Sequence, residues 1–388
     1  MPLLSITIPT YKRPERLREL LWGLCKQIEA LPDDLKGQAD IWVNDNASGD
    51  DTEAMVKKFA AKYPFITYVC NAQNLGADRN VGVAMQRPAG TFIWLLCDDD
   101  LPTKNAVERL LRQIQDIERQ RLANGPTVNL IHSNSFHRTV EMNDMVMGRM
   151  YTDHGHLSLM TGEAMLKKFH MALLRASTLI FRKGTYDGPF VDQYLTGYLC
   201  SPLVLVLQCL SGQNTHGYYM DDPLLTYREN HKPWWGLWPL VVVYYIPLMA
   251  LFAVRAGLYN ASIITPFLYT DIENVRKYLY LLKKTPPEAF TNEPQKHWHL
   301  SFWTLFKLYA RKKWFWDECV WFCLLPYPIL RTLLRLSPLK PHLSTPGVIL
   351  RWMKGQLNQK ETIQSKVVRA SQAARTFSKL ERVAVSNG

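Results

Sequence analysis

The stretch from Thr91 to Pro102, TFIWLLCDDDLP, constrains this chain more than any other. Phe92 to Leu96 form a short run of large apolar residues, read as a strand buried on both faces inside a parallel sheet covered by helices. The run stops on three adjacent carboxylates, Asp98, Asp99 and Asp100. In open α/β sheets, ligands bind at the carboxyl ends of the strands. Three carboxylates this close repel one another and raise at least one pKa unless something positive neutralises them, and hard oxygen donors suit Mg²⁺ or Mn²⁺. Taken alone, the same residues read equally well as an Asp-rich cap on the helix that begins near Lys104.

The preceding sequence supplies the sheet. Strands at Leu3 to Ile8, Ala39 to Val43 and Ile66 to Cys70 alternate with helical patterns at Pro14 to Ile28, Thr52 to Phe59 and Asp78 to Met85. Such alternation implies right-handed β-α-β units and a parallel sheet. Further on, the pattern predicts a helix from Lys104 to Arg121 and a strand from Val128 to His132. An irregular Met-rich loop from Ser133 to Thr161 follows, then a strand from Ala172 to Arg182 and an apolar run from Pro202 to Leu210. Asp221-Asp222 before Pro223 reads as a turn. Neither GxGxxG after the first strand nor GxxxxGK[ST] is present, which argues against a dinucleotide loop and a P-loop. Asp45, at the end of the second strand, reads either as an acceptor for a ribose or base or as a turn residue in NDNASGDD.

Four segments in fixed order carry a family resemblance: ITIPTYKRPERL (6 to 17), VNDNASGDDT (43 to 52), NLGADRNVG (74 to 82) and WLLCDDDLP (94 to 102). Together they resemble the family 2 glycosyltransferases, more narrowly the bacterial abequosyltransferase-like members of surface-polysaccharide assembly. The resemblance implies a GT-A fold, a Rossmann-like α/β domain with a mainly parallel sheet flanked by helices, over residues 1 to 230. It implies that Pro9, Thr10, Tyr11 and Arg13 line the pocket of a UDP, GDP, CDP or dTDP sugar, and that Asp45 contacts the base. By the same resemblance Asn74, Gly76, Arg79 and Asn80 border the nucleotide, and Asp98, Asp99 and Asp100 match the DxD element that binds ribose and Mn²⁺ or Mg²⁺. Arg79 is suited to bidentate bonding of a diphosphate, and equally to an ion pair on the helix surface.

Cys97 departs from the family pattern, which commonly has an acid at its place. Two registers of the DxD element therefore stand: Asp99 and Asp100 as the last two acids, or Asp98 to Asp100 with Asp100 as the principal ligand. Transfer with inversion also needs a base for the acceptor hydroxyl. The family's base is an acid downstream of the DxD near a helix start, which points to Asp192 first and Asp187 second; Asp192 also reads as a simple helix cap. His132 and His170 read as structural.

The charge of +12 sits in the second half of the chain. Residues 1 to 230 hold 24 Lys and Arg against 26 Asp and Glu, whereas residues 231 to 388 hold 22 against 8 and nine of the twelve tryptophans. Basic charge among Trp, Tyr and aliphatic runs fits an anionic membrane surface better than a nucleic acid, which is not expected as a partner. Trp234 to Val254 is 21 residues without a formal charge, but Pro239 and Pro247 interrupt it. It reads as helix lying in the interface or against the catalytic domain rather than spanning the bilayer. The expected organisation is a catalytic domain over 1–230, a basic, aromatic, membrane-associating helical region over 231–345, and an amphipathic tail over 346–388.

The start of the sequence shows no secretory pattern, and seven scattered cysteines without a CxxC pair imply reduced thiols and no zinc site. Combined with the resemblance, this implies a peripheral enzyme at the cytoplasmic face of a bacterial inner membrane with a polyprenyl-diphosphate-linked glycan acceptor. Competing readings are a catalytically silent nucleotide-sugar binder, which Cys97 would suit, and nucleic-acid binding through the basic half. A sugar nucleotidyltransferase fits less well, because its Gly-rich basic N-terminal loop is missing.

Overall fold

The computed structural model describes residues 1–139, 142, 145–149, 158–186, 201–212, 214–228, 246–260 and 262–263. The chain divides into two compact units, Met1–His231 with Ala253–Ile264, and Lys232–Phe252 with Thr265–Gly388. In the first unit, β1 (Leu4–Thr10), β2 (Ala39–Asp45), β3 (Ile66–Cys70) and β4 (Phe92–Leu95) form the parallel part of a mixed sheet. The helices between them are α1 (Pro14–Glu29), α2 (Thr52–Lys62) and α3 (Ala77–Gln86).

The sheet continues through β5 (Leu101–Pro102), β6 (Val128–Arg138), β7 (Met145–Arg149), β8 (Leu159–Thr161), β9 (Leu179–Arg182) and β10 (His216–Arg228). Its main order is β3-β2-β1-β4-β9-β6-β10-β5. β9 lies antiparallel between β4 and β6, so the sheet is mixed rather than parallel throughout. Four further helices are α4 (Ala106–Leu122), α5 (Gly162–Phe169), α6 (Ser201–Cys209) and α7 (Ile246–Arg255).

The periodicity of the sequence explains the layers. Pro14 occupies the first turn of α1, where its missing N–H costs nothing, and Leu17, Leu20, Leu21, Leu24 and Ile28 form one buried stripe. Val107, Leu110, Leu111, Ile114 and Ile117 do the same on α4. These stripes share a core with Phe92, Trp94 and Leu96 of β4 and its extension. Ile93 and Leu95 are equally buried but outside that cluster, so β4 is covered on both faces as its uniform apolarity predicts. α3 packs on β1 and β2 and meets α6.

Three local expectations are corrected. The strand expected from Ala172 is two 3₁₀ turns, His170–Leu174 and Ala176–Thr178, followed by only four residues of strand. Within the stretch expected to be an irregular loop, β6 extends to Arg138 and β7 and β8 form; Met145 to Arg149 pairs antiparallel with β6. Asp221-Asp222-Pro223 is an irregularity inside β10, between Met220 and Leu225, rather than a turn between elements. A bulge absorbs a proline there without ending the strand.

Of the expected membrane-associating region and tail, only 246–260 and 262–263 are described; most of Trp234 to Val254 and all of 346–388 lie outside the described residues. Among the described residues no helix is long and apolar enough to cross a membrane.

Candidate donor-binding site

Parallel register builds the site. Thr10 of β1 pairs with Asp45 of β2, and Asp45 with Cys70 of β3, so the strands end in one row. β4 ends beside β1, and its N–H ladder continues through Leu96 to the Thr7 carbonyl at 3.0 Å. The three carboxylates therefore emerge at the carboxyl edge of the sheet, next to the loop after β1.

Each aspartate then meets a different environment. The Thr10 hydroxyl donates to Oδ2 of Asp98 at 2.7 Å, and Arg13 Nη1 donates to Oδ1 of Asp98 and Oδ2 of Asp99, both at 3.0 Å. Asp100 is 1% exposed; its Oδ1 accepts from the Arg228 backbone N–H at 3.0 Å, while its Oδ2 has no hydrogen-bond partner. Ser177 lies close by, its Oγ accepting from the Cys97 N–H at 2.9 Å. Cys97 Sγ and one oxygen each of Asp99 and Asp100 all lie within 4.8 Å of one another.

The electrostatics follow from burial. Desolvation, then the charge of Asp99, pushes Asp100 up to about 8, against the smaller opposing effects of Ser177 and the Arg228 N–H. Desolvation also raises Asp98, to about 6, although Arg13 and Thr10 oppose it. Burial works to lower the pKa of Arg13, but Asp98 and Asp99 outweigh it and raise it. Burial first, then Asp100 and Asp99, raises the Cys97 thiol well above its ordinary value.

A buried carboxylate oxygen without a donor is costly and needs a proton or a cation. The residues present thus fit a divalent ion: Asp99 and Asp100 offer hard oxygens, Asp100 has an unused buried one, and both oxygens of Asp98 are already engaged. That arrangement separates Asp98, held toward the loop after β1, from Asp99 and Asp100.

The remaining expected site residues fall into two groups. Asp45 is buried and satisfied: Oδ1 accepts from the Ser48 N–H at 3.1 Å and its hydroxyl at 2.5 Å, and Oδ2 accepts from Tyr68 Oη at 2.8 Å. Ser48 Oγ also accepts from the Lys12 N–H at 2.9 Å, which ties the loop after β1 to the turn after β2. Pro9 pairs with Asn44 across the strands, and Tyr11 stays 36% exposed with the Lys12 ammonium 5.4 Å from its ring centre.

Asn80 is buried in an amide network. Its Oδ1 accepts from Asn44 Nδ2 at 2.6 Å and Asn71 Nδ2 at 2.8 Å, and Arg87 donates to the Oδ1 atoms of Asn44 and Asn71. Asn74 Oδ1 accepts from Asn46 Nδ2 and from the Gly76 N–H, shaping the turn into α3. Gly76 has φ +83°, a conformation that favours glycine, with open space where a Cβ would stand. Arg79 is exposed on the first turn of α3. Asp187 and Asp192 lie outside the described residues. His132 and His170 take no place among these groups; His132 is buried, edge-on to Phe169 at 4.7 Å.

Arg228, Ser177, Ser48 and Tyr68 were not singled out from sequence. Ser48 alone had a local signal, three residues after Asp45 in a turn-rich segment. Arg228 and Ser177 reach the carboxylates only through strand pairing and a 3₁₀ turn.

Residues 5–175 match the sequence model of glycosyl transferase family 2. The abequosyltransferase RfbV of Salmonella typhimurium is 37% identical over 106 residues, covering 27% of this chain and 30% of that protein. An uncharacterized glycosyltransferase of Methanocaldococcus jannaschii is 29% identical over 118 residues, 30% of this chain and 38% of that one. Each match thus spans only about a third of the curated relative's length. Among solved structures, S. aureus TarS 1–349 in complex with UDP-GlcNAc superposes with a TM-score of 0.51 at 14% identity, covering 82% of this chain and 92% of that one. Residues 5–175 of this chain are therefore similar to glycosyl transferase family 2, and the sheet and helices that contain them have the GT-A fold.

Proposed function

We propose that this chain transfers a sugar from a nucleotide sugar to a glycan acceptor with inversion, using a divalent ion held by Asp99 and Asp100. The observation that carries the reading is the division of labour among three adjacent carboxylates within a region similar to glycosyl transferase family 2. Asp98 is braced by Thr10 and Arg13, while Asp100 keeps a buried oxygen without a partner.

In this reading Asp98 faces the ribose, and Pro9, Thr10, Tyr11 and Arg13 form the wall beside the nucleotide. Asp45 orders the base end through Ser48 and Tyr68. A bound Mn²⁺ or Mg²⁺ supplies charge to stabilise the departing diphosphate. Arg79, exposed at the start of α3, supplies a second positive charge for it. Asp192, with Asp187 as the alternative, takes the acceptor hydroxyl proton; their place downstream of the DxD element in the sequence supports this.

We also propose a polyprenyl-diphosphate-linked acceptor in surface polysaccharide or O-antigen assembly, and peripheral attachment to the cytoplasmic face of a bacterial membrane. The similarity to an abequosyltransferase and the basic, Trp-rich second half support this. The test is nucleotide release from a panel of UDP, GDP, CDP and dTDP sugars with Mn²⁺. Asp100→Asn should lower it at least about a hundredfold, since several kcal/mol of charge stabilisation is at stake. Undiminished turnover in both Asp99→Asn and Asp100→Asn would refute the metal assignment. Flotation with anionic liposomes tests attachment; no capture of the full chain at low salt would refute it.

A further inference from the structure

We infer that Cys97 is a third ligand of the divalent ion and that its sulfur biases the site toward thiophilic cations, with manganese, zinc and cadmium favoured over magnesium. The inference rests on the metal reading above and goes beyond it, because it assigns a donor and a selectivity to the residue at which this chain departs from the pattern it resembles.

Geometry carries the assignment. Cys97 Sγ, an Asp99 oxygen and an Asp100 oxygen lie within 4.8 Å of one another. Donors bound about 2.0 to 2.6 Å from a common ion are no farther apart than about 5 Å, a spacing that these three satisfy. The backbone holds them in this cluster. The Asp100 N–H donates to the Cys97 carbonyl at 3.3 Å, closing a tight turn that brings positions 97 and 100 together. The Cys97 N–H is fixed in turn on Ser177 Oγ, and Asp100 on the Arg228 N–H. The independent sign of a ligand is Asp100 Oδ2, which is buried with no donor while the rest of that carboxylate is satisfied.

The chemistry of the donor set then decides selectivity. Two carboxylates alone make a hard site that Mg²⁺ and Mn²⁺ share. Replacing one oxygen of the set by sulfur weakens the match to Mg²⁺, which prefers oxygen in near-ideal octahedral geometry, and strengthens it for softer ions. A cysteine that merely packs against the loop would leave the selectivity that of two carboxylates.

The test uses the full chain with each metal alone. Cd²⁺, Mn²⁺ and Mg²⁺ are titrated into wild type, Cys97→Ser, Cys97→Ala and Asp100→Asn, followed by calorimetry and by sulfur-to-cadmium charge-transfer absorbance. We expect wild type to show one equivalent of that absorbance that all three variants lack. Cd²⁺ affinity should fall roughly tenfold or more in Cys97→Ser and Cys97→Ala, with Mg²⁺ affinity unchanged. The comparison with wild type isolates Cys97 from the other six cysteines, and a thermal melt of each variant checks that it is folded. Unchanged Cd²⁺ absorbance and affinity in both Cys97 variants, with binding lost in Asp100→Asn, overturns the sulfur ligand and leaves the metal site standing. Binding of every ion unaffected by Asp100→Asn removes the metal site and the inference together.

Discussion

The backbone N–H of Arg228 donates to Oδ1 of Asp100 at 3.0 Å across 128 positions of sequence. The bond extends the antiparallel pairing of Leu225 and Thr226 with Pro102 and Leu101. The same residue donates from Nε to the Asp99 carbonyl at 2.8 Å and from Nη2 to Glu19 at 2.7 Å. One arginine at the end of β10 therefore ties the carboxylate loop to both the sheet and α1.

Arg228→Ala keeps the backbone donor to Asp100 and removes the two side-chain anchors. We expect a loss of about 1 to 3 kcal/mol, as for buried charge-assisted bonds, with weaker metal binding because the loop loses its brace. Glu19 is half-exposed, so Glu19→Gln should cost under about 1 kcal/mol. Denaturant unfolding of both variants checks this; equal small losses would show that Arg228 is not a brace.

The raised carboxyls make the stability depend on pH. An unfolded Asp loses its proton near about pH 4, whereas Asp98 and Asp100 hold theirs to about 6 and about 8 in the folded chain. Between about pH 4 and 8 the folded state binds more protons, so these two groups lower stability as pH rises through that window. Thermal melts in the presence of a chelator should show a shallower decline for Asp100→Asn than for wild type above about pH 6. Identical slopes would contradict the burial of Asp100 with one oxygen left without a partner.

Arg13 bonds to both Asp98 and Asp99. Arg13→Ala should weaken nucleotide-diphosphate binding by roughly tenfold, the equivalent of one charge-assisted bond at a partly exposed site. Equilibrium binding with UDP, GDP, CDP and dTDP measures this. Unchanged affinity for whichever nucleotide binds would place Arg13 outside the donor site.

Asp45 orders its turn before any nucleotide arrives. Asp45→Ala strands the Ser48 and Tyr68 donors and should cost about 1 to 3 kcal/mol, and Tyr68→Phe, which removes a single bond to Asp45, about 1 kcal/mol. Burial and then the bond to Asp45 raise the Tyr68 phenol, so it remains a neutral donor at ordinary pH. Stability unaffected in Asp45→Ala would assign Asp45 to ligand contact alone.

The β-α-β half of the fold was legible in local sequence patterns. The uniform apolarity of Phe92 to Leu96 marked a strand covered on both faces, and the helical stripes of α1 and α4 marked what covers it, because side-chain period is a local property of the chain. The sequence also placed Thr10, Asp45 and Asp98 to Asp100 at strand ends. What it left open was the role of each aspartate, with two registers equally compatible with CDDD. Tertiary structure divided those roles: Thr10 and Arg13 reach Asp98, while Arg228 and Ser177 arrive at Asp100 and Cys97 from strands and turns far along the chain. The mixed sheet was hidden for the same reason, since β9 is a strand of four residues, Leu179–Arg182, whose direction is set by its neighbours. Local periodicity specifies an element, but burial and charge at a site depend on partners that only folding brings together.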